Sequence, residues 1–181
     1  TGSTLGTTAL YTNNLAVGAG ATMTNTTAAL GSGLGGQFSA LPTLAVATDG
    51  IVQSYQVPLG TSILPGRSLY ITRVNISSVV TTTLAGGAVV YALSLAYGHN
   101  AVSLATTETA TTKAPRRLPL GFQVFPANSA VGTQGTMIDI DLATPILVQP
   151  GEFIQLTAKN LGVVTTAGII TFIVGYGGYW E

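Results

Sequence analysis

The chain has 181 residues, of which only 7% are charged, six basic and six acidic, with one histidine and no cysteine. A soluble domain ordinarily carries about 25% charged residues, so the surface must be covered largely by Thr, Ser, Asn, Gly and Ala. Balanced, scattered charge leaves no basic footprint for nucleic acid or an anionic membrane, and the missing cysteines exclude disulfides, thiolate zinc sites and thiol nucleophiles.

Neutral hydroxyls and small side chains are desolvated at lower cost than ions, so such a surface favours lateral contact with other protein. The length suits one domain plus an appendage. No basic stretch followed by an apolar run opens the chain, so a secretory signal is not expected, and Thr1-Gly2-Ser3 has the look of a processed start.

From Thr1 to about Ala40 the sequence is rich in Gly, Thr, Ala and Asn. Larger apolar residues, among them Leu10, Tyr11, Leu15, Met23 and Leu30, are spaced without a period of 2 or 3.6. Such a segment cannot bury enough of its own surface to offset the entropy of ordering. It is expected to be an extended arm, residues 1–40, whose apolar residues act as pegs into a neighbour. Extended, it reaches about 130 Å, against a radius of gyration of ~16 Å for a globule of this length. Gly31-Ser32-Gly33-Leu34-Gly35-Gly36 spells a dinucleotide fingerprint, but no strand precedes it and no helix follows, so it reads as a Gly-rich joint.

Residues 41–181 are expected to form a β-sandwich. Ile51 to Val57 alternate before the turn at Pro58-Leu59-Gly60. In Ser68–Ser77 the apolar parity slips near Thr72-Arg73, which predicts a bulge. Val89, Tyr91, Leu93, Leu95 and Tyr97 alternate with small residues, the mark of a strand with one buried face. His99 follows as an ordinary hydrogen-bonded loop histidine.

Lys113-Ala114-Pro115-Arg116-Arg117-Leu118-Pro119 holds half of the basic residues between prolines. It reads as an extended loop whose Arg116 and Arg117 are candidates to clamp a partner's carboxylates. Ile138, Ile140 and Leu142 alternate with Asp139 and Asp141, which a solvated outer face explains more simply than a calcium or glycosidase pair. A second short strand, Ile146-Leu147-Val148, then a turn at Gln149–Glu152, lead into a strand from Phe153. Residues 160–180 lack charge, but five glycines and three threonines in the stretch favour strands over a membrane span. Ile169–Tyr176 is apolar on both parities, as in a central or interface strand. The terminal Tyr179 and Trp180 are expected either to close the core or to anchor a neighbour. Two sequons, Asn25-Thr26-Thr27 and Asn75-Ile76-Ser77, fit chance in a Thr-rich chain.

About eight short strands without a helix fit an all-β, jelly-roll-like two-sheet sandwich. No catalytic, metal or cofactor constellation emerges.

Three stretches, Ser94 to Gly121, Ile146 to Phe153 and Gly178-Tyr179-Trp180-Glu181, resemble small structural proteins of tailed bacteriophages, including cyanophages. The similarity spans Pro65 to Glu181. The resemblance implies a head decoration, or cement, protein: a homotrimer on the capsid exterior, seated over junctions between capsomers and bound to the major capsid protein. Its arms would be exchanged or wrapped. The competing expectations are a receptor- or glycan-binding head fibre or tail-spike module, and an enzyme working through Glu108, Asp139, Asp141 or Glu152. A capsid-forming jelly roll ranks lower, because the arm has no Lys or Arg.

Overall fold

The computed structural model describes residues 23–25, 35–40, 49–60, 66–101, 103–105, 107–163 and 167–181. Nine strands follow in order: β1 (Met23–Asn25), β2 (Gly35–Ala40), β3 (Asp49–Gln56), β4 (Leu69–Ala85), β5 (Val89–His99), β6 (Arg116–Phe125), β7 (Ile138–Val148), β8 (Phe153–Asn160) and β9 (Ala167–Trp180). There is no helix among the described residues. The strands form two antiparallel sheets, ordered β1-β2-β9-β4-β7 and β3-β8-β5-β6.

The pairing is nested: β2 with β9, β3 with β8, β4 with β7, and β5 with β6. This is one long hairpin of eight strands rolled up on itself, with the rolled faces joined by β4·β9 and β5·β8, the connectivity of a jelly roll. The expected all-β sandwich is therefore present. Its long axis is the β4–β9 ladder, running from Leu69 opposite Trp180 to Ala85 opposite Ala167.

The period-2 patterns bury the faces they promise. Leu69, Ile71, Val74, Ile76, Val80 and Leu84 of β4 face Val89, Tyr91, Leu93 and Leu95 of β5, with Phe125, Ile170, Phe172 and Val174 filling the layer between. The rings of Tyr91 and Phe172 meet 6.3 Å apart at 52°. The slip in parity at Thr72-Arg73 is a bulge: both ladders on β4 shift register between Ile71 and Arg73. β9 is central, between β2 and β4.

Three expectations change in detail. The sheet reaches into the segment assigned to the arm, since Gly35–Ala40 pair with β9 over six residues and Met23–Asn25 pair with β2. Ladder formation needs backbone groups rather than a hydrophobic pattern, which is why composition did not reveal it. The two short strands at 138–142 and 146–148 are one strand, β7, whose pairing with β4 is interrupted between Asp141 and Ile146, where Pro145 has no N–H to give. The proline-flanked basic segment enters the sheet from Arg116 as β6, an edge strand, where a proline such as Pro119 is tolerated.

Candidate functional site

The sequence candidates do not converge on one place. Leu10, Tyr11, Leu15 and Leu30 lie outside the described residues, and Met23 opens β1 opposite Ala40. Arg116 lines a groove of about 590 Å³ between the neighbouring edges β6 and β7, together with Tyr97, Glu108, Lys113, Leu142 and Glu152. Its neighbour Arg117 runs the other way, across the outer face of the four-stranded sheet, where its guanidinium donates to Thr157 Oγ1 and pairs with Asp49 at 3.3 Å. The expected common clamp of Arg116 and Arg117 is thus divided, as alternate residues of a strand must be.

At the chain's end, Tyr179 is exposed and stacked on Tyr70, with ring centroids 5.0 Å apart and planes 5° apart. Trp180 is half-buried against the core, and its carbonyl accepts from Arg67. So Trp180 serves the domain, while Tyr179 is left to the surface.

The four candidate acids fall in two places, and three of them are held by cations. Asp139 and Asp141 stand on the outer face of the five-stranded sheet and share Arg73, whose Nε donates to Asp139 Oδ1 at 2.7 Å and lies 3.6 Å from Asp141. That contact holds the Asp139 carboxyl below the usual carboxylate range. Glu152 is almost buried, accepts from Lys113 Nζ at 2.7 Å and from the Gln149 amide at 2.9 Å, and pins the turn that precedes β8. Glu108 shares the groove with Glu152. Among the described residues no three His, Asp or Glu side chains gather in a way that holds a metal ion.

His99 sits at the end of β5 and is fully buried rather than a loop residue. Gly98, at φ 72°, breaks the β5–β8 ladder and turns His99 onto the face of Phe153, whose ring lies 5.9 Å away. The ring's Nε2–H donates to Gln155 Oε1 at 2.9 Å, and Gln155 in turn donates to Ser54 Oγ at 3.1 Å. Nδ1 has no partner. Burial lowers the pKa of the ring, opposed by the Gln155 bond, the Tyr97 backbone and the Glu152 charge. Ser54, Ala96, Gln155 and Thr157 around it are also buried, so this part of the outer face is closed.

What sequence reasoning missed lies on β6. Alternation predicts that Phe122 and Val124 face the core and Gln123 faces water. The structure reverses this. Gln123 is fully buried, accepts from Ser78 Oγ at 2.8 Å and donates to the Thr136 carbonyl, while Phe122 is 60% and Val124 54% exposed. The reversal follows from an extra residue opposite Leu93-Ser94, where Leu120 is left unpaired and Gly121 takes φ 129°. Beyond the bulge Phe125, not Phe122, enters the core. The X-Gly-Phe-Gln-Val-Phe run held a signal, a glycine in mid-strand, that marks such a bulge.

β6 is joined in exposing apolar surface by Leu161 and Val163 on the same sheet's end and by Met137 and Ile173 on the five-stranded sheet. The last two rim an uncharged hollow of about 300 Å³ over Ser77, Val79 and Thr171. No family model, curated protein or solved structure matches the chain.

Proposed function

We propose that the protein is a structural, non-enzymatic virion component, a cement protein on the outside of a tailed-phage capsid. Its homotrimer bridges neighbouring capsid subunits, with the major capsid protein as partner and the arms exchanged or wrapped. The observation that carries this reading is the pairing of a nearly uncharged surface with large apolar side chains on the outer faces of both sheets. Freely soluble monomers rarely leave contiguous apolar surface in water, and such surface marks contact with protein. The resemblance of Pro65–Glu181 to tailed-phage decoration proteins supplies the kind of protein.

The mechanism is mechanical. An expanded shell under internal pressure fails when subunits separate, and a trimer that spans a junction adds contact area that must also be broken. A standard contact buries ~1,600 Å², and many contacts acting on one shell multiply.

The test is to mix the purified full chain with expanded capsids that lack decoration. Cosedimentation at a saturating stoichiometry and a higher rupture temperature are expected. Capsids that neither bind the chain nor gain heat resistance would refute the reading.

A second reading, a receptor- or glycan-binding head fibre or tail-spike module, is favoured by the groove between β6 and β7, where Tyr97 and Glu108 stand near Arg116. It ranks second because Glu152 and Lys113, two of the groove's four charged groups, already satisfy each other. Binding of the isolated chain to host-surface glycans or cells would promote it.

A further inference from the structure

We propose that the edge of β6 at Phe122–Phe125 receives the N-terminal segment of a second copy of this chain, added as a further strand to the four-stranded sheet. This deepens the reading above and rests on its expectation that copies exchange arms.

A sheet edge offers a row of unpaired backbone donors and acceptors, which another polypeptide strand completes and which natural proteins otherwise blunt. Among the described residues four strands end the two sheets: β1, β7, β3 and β6. β1 is three residues long. β3 is buried through its six central residues. β7 carries Asp139 and Asp141, a break in pairing and Pro145. The first half of β6 is blunted in the same way, by Arg116, Arg117, Pro119 and the bulge at Leu120.

Phe122–Phe125 has none of these devices. It holds no charge, no proline and no bulge, it pairs with β5 in unbroken register, and no strand pairs on its other side among the described residues. The inversion of β6 makes the case stronger. Gln123 is satisfied inside by Ser78 and Thr136, so what the inversion leaves unfavourable is Phe122 and Val124 in water, and covering those two side chains gains their apolar burial. A lipid or sugar would cover the side chains but leave the backbone edge unpaired. A strand does both.

The occupant follows from charge and position. No Lys, Arg, Asp or Glu precedes Asp49, so the N-terminal segment brings no ion to desolvate beside Phe122 and Val124. β1 and β2 lie at one end of the sandwich, over β3, while β6 lies at the other end, beside β7. Donor and acceptor at opposite ends make a head-to-tail contact, which closes into a ring when the rotation permits, as in a trimer. The 22 residues before Met23 reach up to about 73 Å when extended, enough to cross to a neighbour.

The chain has no cysteine, so engineered thiols report without background. Leu10→Cys and Leu15→Cys are each combined with Val124→Cys in the full chain, oxidised gently and run on denaturing, non-reducing gels. Covalent trimers from at least one pair, with no more than dimers from any single-cysteine variant, are expected. Crosslinks confined to monomers, or none from either pair, would overturn the proposal.

In parallel, Phe122→Lys with Val124→Lys is compared with the control Leu59→Lys, another exposed position, by light scattering over a dilution series. Circular dichroism confirms that each variant is folded. The native mass is expected to fall from three chains to one in the β6 variant alone. A β6 variant that keeps the wild-type mass, or a wild type that is monomeric throughout, would overturn the proposal. So would amide protection of residues 122–125 that arises only on adding capsids, which would assign the edge to the capsid protein. Cosedimentation with capsids is read independently, so failure of this inference and failure of the cement reading are distinguishable.

Discussion

Replacing Gln123 with leucine probes the reversed polarity of β6 directly. The side chain is fully buried, and its amide links the Ser78 hydroxyl to the Thr136 carbonyl. Leucine has similar bulk and no polar atoms, so both partners lose their bond. Stranding a buried donor or acceptor costs about 1–3 kcal/mol each, while the added apolar burial of leucine returns about 1 kcal/mol. The net loss is about 1–5 kcal/mol, which for a chain of this length lowers Tm by roughly 2–20 °C. Urea unfolding followed through the single tryptophan, Trp180, and by circular dichroism at fixed protein concentration measures it. Adding Ser78→Ala to Gln123→Leu removes one stranded group and should recover about 1 kcal/mol, although Ser78→Ala alone is destabilising. A Gln123→Leu variant as stable as wild type, or strictly additive effects of the two changes, would refute the network.

The same network leaves no room for a side chain at Gly135: a Cβ there would crowd Gln123 Oε1 and Ser78 Oγ and force the network to shift, so Gly135→Ala should cost about 1–3 kcal/mol in thermal unfolding. Gly175→Ala, where a Cβ meets open space, should stay within about 0.5 kcal/mol and serves as its control. For His99, burial lowers the folded-state pKa, so the unfolded chain binds the proton more readily. Stability is then fully present above the unfolded histidine pKa of about 6.5 and declines as pH falls through that value toward the lower folded pKa. Glu152, Lys113 and Arg117 are the charged groups nearby, and His99→Gln should flatten the pH profile of Tm below about pH 6.5. An unchanged slope in that variant would assign the acid sensitivity elsewhere.

Much of the domain was legible because its strands obey the period of 2. The alternation of Val89 to Tyr97 gave β5 and its buried face, and the slip after Ile71 located a bulge to the residue. The Asp139/Asp141 alternation marked an outer face, and Arg73 between the carboxylates is the arrangement that keeps them there. β6 was hard to read, because one unpaired residue, Leu120, exchanges the inner and outer faces of everything that follows, and its one mark in the sequence is the mid-strand Gly121. His99 was misplaced for a related reason: Gly98 takes a positive φ and redirects the next side chain into a closed layer. β2 escaped notice because Gly35-Gly36-Gln37-Phe38-Ser39-Ala40 offers a ladder little beyond backbone.

The scarcity of charge and the exposure of apolar groups have a common logic. Three sets of ion pairs, Arg73 with Asp139 and Asp141, Lys113 with Glu152, and Arg117 with Asp49, engage most of the charged residues in contacts that tie one strand or loop to another. Arg67 likewise donates to the Trp180 carbonyl at the surface, tying the approach to β4 to the end of β9. The domain therefore uses its ions to fasten its own parts and leaves the Phe122–Phe125 half of β6 and the hollow above Thr171 free of formal charge. Faces of this kind attract only at contact distance. They give little steering and little sensitivity to salt, because screening has almost no charge to act on. Selectivity then has to come from shape and from backbone pairing, and an unblunted strand edge beside two outward-facing apolar side chains supplies both in one place.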